Sequence, residues 1–235
     1  MKQFAIIGLG TFGKRMADEF TQLGIESLVI DKERESVDRY KHVAAAAYCV
    51  DALNPEAINR TVPASIDGAI VDLGKQMETS ILTVNYLKKL GVKQIVVKAE
   101  NDEHAEILRI VGADRIIFPE KEAAQKITPS LVSSSIINLL PAGQGLIIAE
   151  IRSPESMMGK TIREADVRRK YGVNVVGVRH EDEGEYELTS VDYRFQPLDI
   201  LLIAGQQEQV ANFSGIAGSV KKKTIRTLLR RLQIA

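Results

Sequence analysis

Six short apolar runs recur through the first half of the chain: Gln3–Ile7, Ser27–Ile30, Ala47–Val50, Gly68–Leu73, Gln94–Ala99 and Arg115–Phe118. Their starts are separated by 24, 20, 21, 26 and 21 residues. Near-continuous Ile, Val and Ala without polar alternation is the pattern of strands covered on both faces of a parallel sheet. The intervals read as helices. In Met77–Leu90, Met77, Ile81, Val84 and Leu87 fall on one stripe, and Gly24, Gly91 and Gly112 follow the last apolar residues of their segments, where helices stop. The alternation predicts an α/β fold, a Rossmann-like doubly wound parallel sheet with strand order 3-2-1-4-5-6.

The character then changes. A long helical pattern runs from Glu120, interrupted by Pro129 and stopped by Pro141-Ala142-Gly143. Strands follow at Leu146–Ile151, Asn174–Arg179 and Ile200–Ala204, with one helix at Thr161–Lys170 and a polar hairpin at His180–Glu185. This predicts a second, smaller α+β domain. The expected organisation is a Rossmann-like nucleotide-binding domain over 1–140, an α+β domain over 141–218 and a tail over 219–235.

The 31 basic residues balance the 31 acidic ones, which excludes a generally basic nucleic-acid-binding surface. The balance hides a segregation: residues 1–218 carry a formal charge of −6 and the tail +6, from Lys221, Lys222, Lys223, Arg226, Arg230 and Arg231. Ile225, Leu228, Leu229 and Leu232 fall on one stripe of that tail, the pattern of a basic amphipathic helix. It is expected either to fold back on the body or fray as a terminus, or to meet anionic lipid or a channel's cytoplasmic face. The N-terminus does not read as a signal peptide, and no run approaches the ~18 apolar residues of a membrane span. A single cysteine, Cys49, allows no intrachain disulfide. The expectation is a cytoplasmic protein.

The first run leads directly into Gly8-Leu9-Gly10-Thr11-Phe12-Gly13, which opens a helix. In this G-x-G-x-x-G pattern the first glycine permits the tight turn, the second lets backbone approach a phosphate, and the third lets helix pack on sheet. Asp31 ends the second run and is placed to accept hydrogen bonds from ribose hydroxyls, disfavouring a 2′-phosphate. Asp51, Asp72 and Lys98 stand at other strand ends along the same carboxyl edge. The candidate nucleotide-binding set is Gly8, Gly10, Thr11, Phe12, Gly13, Asp31, Lys32, Asp51, Ala52, Asp72 and Lys98. Glu120 follows the sixth run, about 14 Å from the first at ~4.8 Å per strand, too far to reach phosphates in its own subunit. It reads either as a helix first-turn carboxylate after Pro119 or as a group acting across a subunit interface or through a cation.

Catalytic groups do not stand out. Cys49 is expected as a core residue of a buried strand, His104 as an exposed residue in a helix first turn, and His180 as part of a solvated hairpin. His42, His104 and His180 have no zinc-like spacing. Nucleotide binding without visible chemistry points to a sensor rather than an enzyme. A small NAD-dependent oxidoreductase is the alternative; a transcription regulator would need a helix-turn-helix, which is not visible.

These segments carry a family resemblance. Phe4–Gly13, Val97-Lys98-Ala99-Glu100-Asn101, Gly112–Lys121, Met158-Gly159-Lys160-Thr161 and Pro197–Gly205 resemble the cytosolic regulatory subunits of Trk/Ktr-type bacterial potassium-uptake systems, built from RCK (regulator of potassium conductance) domains. The resemblance covers about residues 1–215. It implies binding of ATP and ADP, or NAD and NADH as in Trk-type members, with Mg²⁺ or another divalent cation near Glu120. It also implies a homodimer assembling into an octameric ring beneath a membrane potassium-translocating subunit, and cyclic di-AMP at the C-terminal domain of some relatives. Ktr-type relatives usually carry Arg at the position of Thr11, which here offers only a neutral hydroxyl.

Overall fold

The computed structural model describes residues 2–143, 145–181 and 184–215; the basic tail expected at 219–235 lies outside them. The chain divides into two compact units at Pro119/Glu120. The first unit runs β1 (Gln3–Ile7), α1 (Thr11–Gln22), β2 (Glu26–Asp31), α2 (Arg34–Tyr40), β3 (Ala46–Cys49), α3 (Pro55–Thr61), β4 (Gly68–Val71), α4 (Met77–Lys89), β5 (Ile95–Lys98), α5 (Asp102–Val111) and β6 (Arg115–Ile117). All six strands pair in parallel in the order β3-β2-β1-β4-β5-β6, as the sequence predicts.

The strand pleat sends successive residues to opposite faces, and both faces are covered. Ala5 and Ile7 of β1 join Ile30, Val71 and Val97 in a core closed by Ile58 of α3, Val84 and Leu87 of α4 and Leu108 of α5. Ile6 joins Val29 and Ile70 on the other face, against Ala17 and Phe20 of α1 and Val37 and Tyr40 of α2. Each fully buried Ile or Leu contributes about 1.5–3 kcal/mol. Local chemistry fixes the helix starts. Asn54 Oδ1 accepts the Glu56 and Ala57 N–H groups ahead of Pro55, and Asn101 Oδ1 accepts the His104 N–H at 2.7 Å.

The second unit begins at Glu120 and contains α6 (Pro119–Val132, from its second residue), β7 (Ile136–Pro141), β8 (Leu146–Arg152), α7 (Ile162–Ala165), α8 (Val167–Tyr171), β9 (Asn174–His180), β10 (Glu187–Leu188), β11 (Asp199–Gln206) and α9 (Gln207–Phe213). Its five strands pair antiparallel in the order β10-β9-β11-β8-β7. Ile147, Ala149 and Ile151 of β8 and Leu201 and Ile203 of β11 face a core with Val167, Val210 and Phe213 from the helices.

Two expectations are corrected here. The helical pattern from Glu120 ends at Val132, not Pro141, and Ile136–Pro141 is a strand. Its apolar run pairs with β8 and buries Ile136 and Leu139, a partner that helical periodicity could not reveal. The second unit therefore starts well before residue 141. The helix expected at Thr161–Lys170 is two helices, because Asp166 adopts a left-handed conformation (φ 50°) between them. Thr161 and Glu164 form a reciprocal capping box at the start of the first.

Candidate functional site

A cleft of about 320 Å³ opens at the carboxyl edge of the parallel sheet, where the turns after β1, β2, β3 and β4 converge. Between β1 and β4 the chains diverge to opposite sides of the sheet, the place where such folds bind ligands. Of the predicted residues, Gly8, Gly10, Asp31, Lys32, Asp51, Ala52 and Asp72 line it.

The glycine loop is held by two carboxylates. Asp31 Oδ2 accepts the Leu9 N–H at 2.6 Å while its Oδ1 accepts the Glu33 N–H at 2.8 Å. Asp72, only 2% exposed, accepts the Phe12 and Gly13 N–H groups through Oδ2 at 3.0 and 2.9 Å. These are first-turn amides of α1, positively polarised and without helical partners. Gly8 takes φ +91°, and a Cβ there would stand 1.9 Å from the Asp72 carbonyl oxygen. Gly10 has a different neighbour from the one its motif suggests. A Cβ on Gly10 would stand 2.5 Å from Asp72 Oδ2, so the missing side chain makes room for a carboxylate of the same chain.

The remaining predicted residues fall outside the cleft lining. Thr11 is exposed on the first turn of α1, Phe12 packs into the Ile6 core, and Gly13 is buried where a Cβ would stand 2.1 Å from the Gly8 carbonyl oxygen. Lys98 ends β5, paired in register with Ile117. Glu120 is an exposed carboxylate in the first turn of α6. Among the described residues, no three His, Cys, Asp or Glu side chains gather to hold a metal ion, so Glu120 has no ready-made ligand set among them. Sequence reasoning missed the turn after β4, where Leu73, Gly74, Gln76 and Thr79 complete the wall. The signal was available in Leu73-Gly74 following a buried strand, with Gly74 at φ +55°.

Two single-residue expectations are overturned. Cys49 is exposed, its Sγ 3.4 Å from the Lys32 carbonyl oxygen, because β3 is an edge strand and its end lacks cover. His104 is 2% exposed, because the first turn of α5 folds over its own strand–helix connection. His104 Nδ1 accepts the Glu100 N–H at 3.3 Å, while Nε2 is buried with no partner. Burial pushes its pKa down from the ordinary 6.5, against the opposing pull of Glu100. The unfolded chain then binds a proton that the folded chain refuses. The stabilisation is complete above about pH 6.5 and is lost as pH falls towards the folded value. Between about pH 7.5 and 5.5 the unfolding temperature of the wild type should fall further than that of His104→Gln; equal falls would exclude His104 as the cause.

A glycine-loop cleft on a six-stranded parallel sheet, followed by a small antiparallel unit, defines a two-domain class. Residues 4–119 match the TrkA-N domain family and residues 146–218 the TrkA-C domain family. The Ktr system potassium uptake protein C of Bacillus subtilis (strain 168) is 32% identical over 212 residues, spanning 90% of this chain and 96% of that protein. The chain belongs to the family of Ktr potassium uptake proteins. Among solved structures, the GsuK RCK domain aligns with 99% of this chain at a TM-score of 0.64 and 15% identity, and the GsuK channel bound to NAD at 0.66 and 15%. This chain spans 54% and 45% of those two chains, and the likeness shows the fold.

Proposed function

We propose that this protein is a nucleotide-sensing regulatory subunit of a potassium-uptake system, acting at the cytoplasmic face of a membrane potassium-translocating partner. The observation that carries the reading is the cleft at the carboxyl ends of β1, β2 and β4, in a chain that belongs to the Ktr family. Asp31 supplies the ribose-binding carboxylate, and Gly8 and Gly10 shape the turn beneath the ligand. The sensor reading over an oxidoreductase is supported by the relatives, which are potassium uptake proteins.

Regulation requires that nucleotide bind two shapes of the protein with different affinity. A homodimer building a ring supplies such shapes. In support, α6 buries none of its residues within the chain, leaving Ile127 and Leu131 exposed. A divalent cation at Glu120 would draw its other ligands from the nucleotide or a second copy.

The test is a thermal-shift and calorimetric panel of ATP, ADP, NAD, NADH and cyclic di-AMP, with and without Mg²⁺. At least one of the first four should stabilise the wild type, and Asp31→Ala should weaken that ligand roughly tenfold or more, since ribose contacts and the Leu9 anchor go together. No response to any nucleotide, or an Asp31→Ala variant that binds like wild type, would sink this reading.

A further inference from the structure

The amides of α1 that a nucleotide phosphate needs are already taken. Phosphate binding at a glycine loop rests on N–H groups at the helix N-terminus, positively polarised and otherwise unpaired. Here Phe12 and Gly13 give theirs to Asp72 Oδ2, at 3.0 and 2.9 Å. The carboxylate lies against Gly10, in the space that glycine would leave for a phosphate oxygen, and the residue is 2% exposed. Asp72 thus presents a carboxylate oxygen to amides of the kind that bind phosphate at a helix N-terminus.

The surroundings do not compensate. The residues lining the cleft include four acidic ones, Asp31, Glu33, Asp51 and Asp72, against one lysine, Lys32, whose Nζ is turned to Gln76 Oε1 at 3.3 Å. Thr11, on the first turn of α1, adds no charge. A phosphate entering beside Asp72 meets like charge at short range in a partly dehydrated site, where Coulomb repulsion is strong.

We infer that Asp72 is an intramolecular competitor for the phosphate seat, and that it sets the concentration at which a phosphate-bearing nucleotide can occupy the cleft. This rests on the nucleotide-sensing reading and adds to it the residue that controls selectivity. Nucleotide enters by turning the Asp72 carboxylate off the α1 amides, so seating a phosphate there first breaks two existing hydrogen bonds. A ligand held through its nucleoside end avoids that exchange.

The experiment compares wild type, Asp72→Asn and Asp72→Ala by calorimetry with ADP and with adenosine, and by thermal shift with inorganic pyrophosphate. Asp72→Asn keeps an oxygen acceptor for the amides while removing the charge, so it serves if Asp72→Ala does not fold. The expected result is ADP affinity raised roughly tenfold or more in the variants, with adenosine affinity within about twofold of wild type. Pyrophosphate should stabilise Asp72→Ala, or Asp72→Asn in its place, and leave the wild type unchanged. ADP affinity unchanged or weakened in a folded variant, with adenosine unaffected, overturns the inference and leaves the nucleotide reading intact. Failure of every protein to bind ADP and adenosine would instead overturn the nucleotide reading. The pyrophosphate arm would then decide the role of Asp72 alone: equal response in variant and wild type refutes it.

Discussion

Replacing Gly8 by valine should abolish nucleotide binding at concentrations that saturate the wild type, and lower the unfolding temperature by about 10 °C. The backbone there is left-handed at φ +91°, a region that β-branched residues avoid. A Cβ would stand 1.9 Å from the carbonyl oxygen of Asp72 and 2.6 Å from its carbonyl carbon. Both are main-chain atoms of the neighbouring strand end, so no side chain can turn aside. The turn must open, breaking the register in which the Asp72 N–H donates to the Ile7 carbonyl. The cost should be about 3 kcal/mol or more. Gly24→Ala is the control. It has φ +65° but nothing within 4 Å, so only backbone strain of roughly 1 kcal/mol applies and nucleotide binding is kept. Calorimetric titration and thermal unfolding of both variants measure the contrast. A Gly8→Val protein that binds nucleotide normally would show that the glycine loop is not the floor of the site.

The second large effect is expected in the other unit. Phe195 is 1% exposed, its ring set edge-on to Tyr193 at 6.3 Å between centroids. Its N–H donates to the Lys160 carbonyl and its carbonyl accepts the Gly159 N–H, tying the segment after β10 to the turn ahead of α7. Phe195→Ala should cost about 3–5 kcal/mol through lost transfer energy and the cavity left behind. The damage should stay within the second unit. Every residue lining the cleft at the carboxyl edge belongs to the first unit, whose two cores draw none of their residues from the second. Thermal unfolding should show an earlier transition for the second unit while calorimetric nucleotide affinity stays close to wild type. Loss of nucleotide binding in parallel would show that the two units fold as one.

Much of the first unit was legible because parallel strands buried on both faces leave a strong one-dimensional trace. Ile6 and Ile7 face opposite cores, so neither position tolerates a polar residue, and the run stands out. Within the second unit the trace is weaker. Ile136–Pro141 carries enough apolar residues to continue a helix, and its pairing with β8 lies beyond local periodicity. Cys49 and His104 depart from their sequence patterns for a related reason: exposure depends on what lies across space, and an edge strand and a folded-over first turn invert the usual expectation.

The sequence alone determined the buried strands, their alternation with helices and the glycine loop, because each is written in residues close together along the chain. Gly8, Gly10 and Asp31 fall at one edge from their spacing to the apolar runs alone. What only the tertiary structure decided is the occupant of that edge. Asp72 lies 60 residues from Phe12, yet its carboxylate closes on the Phe12 and Gly13 amides. Adjacent parallel strands bring β1 and β4 side by side, and a glycine without a side chain lets the charge through. A strand-end aspartate reads the same in sequence whether it greets a nucleotide or stands in its place; the distance to two amides tells them apart.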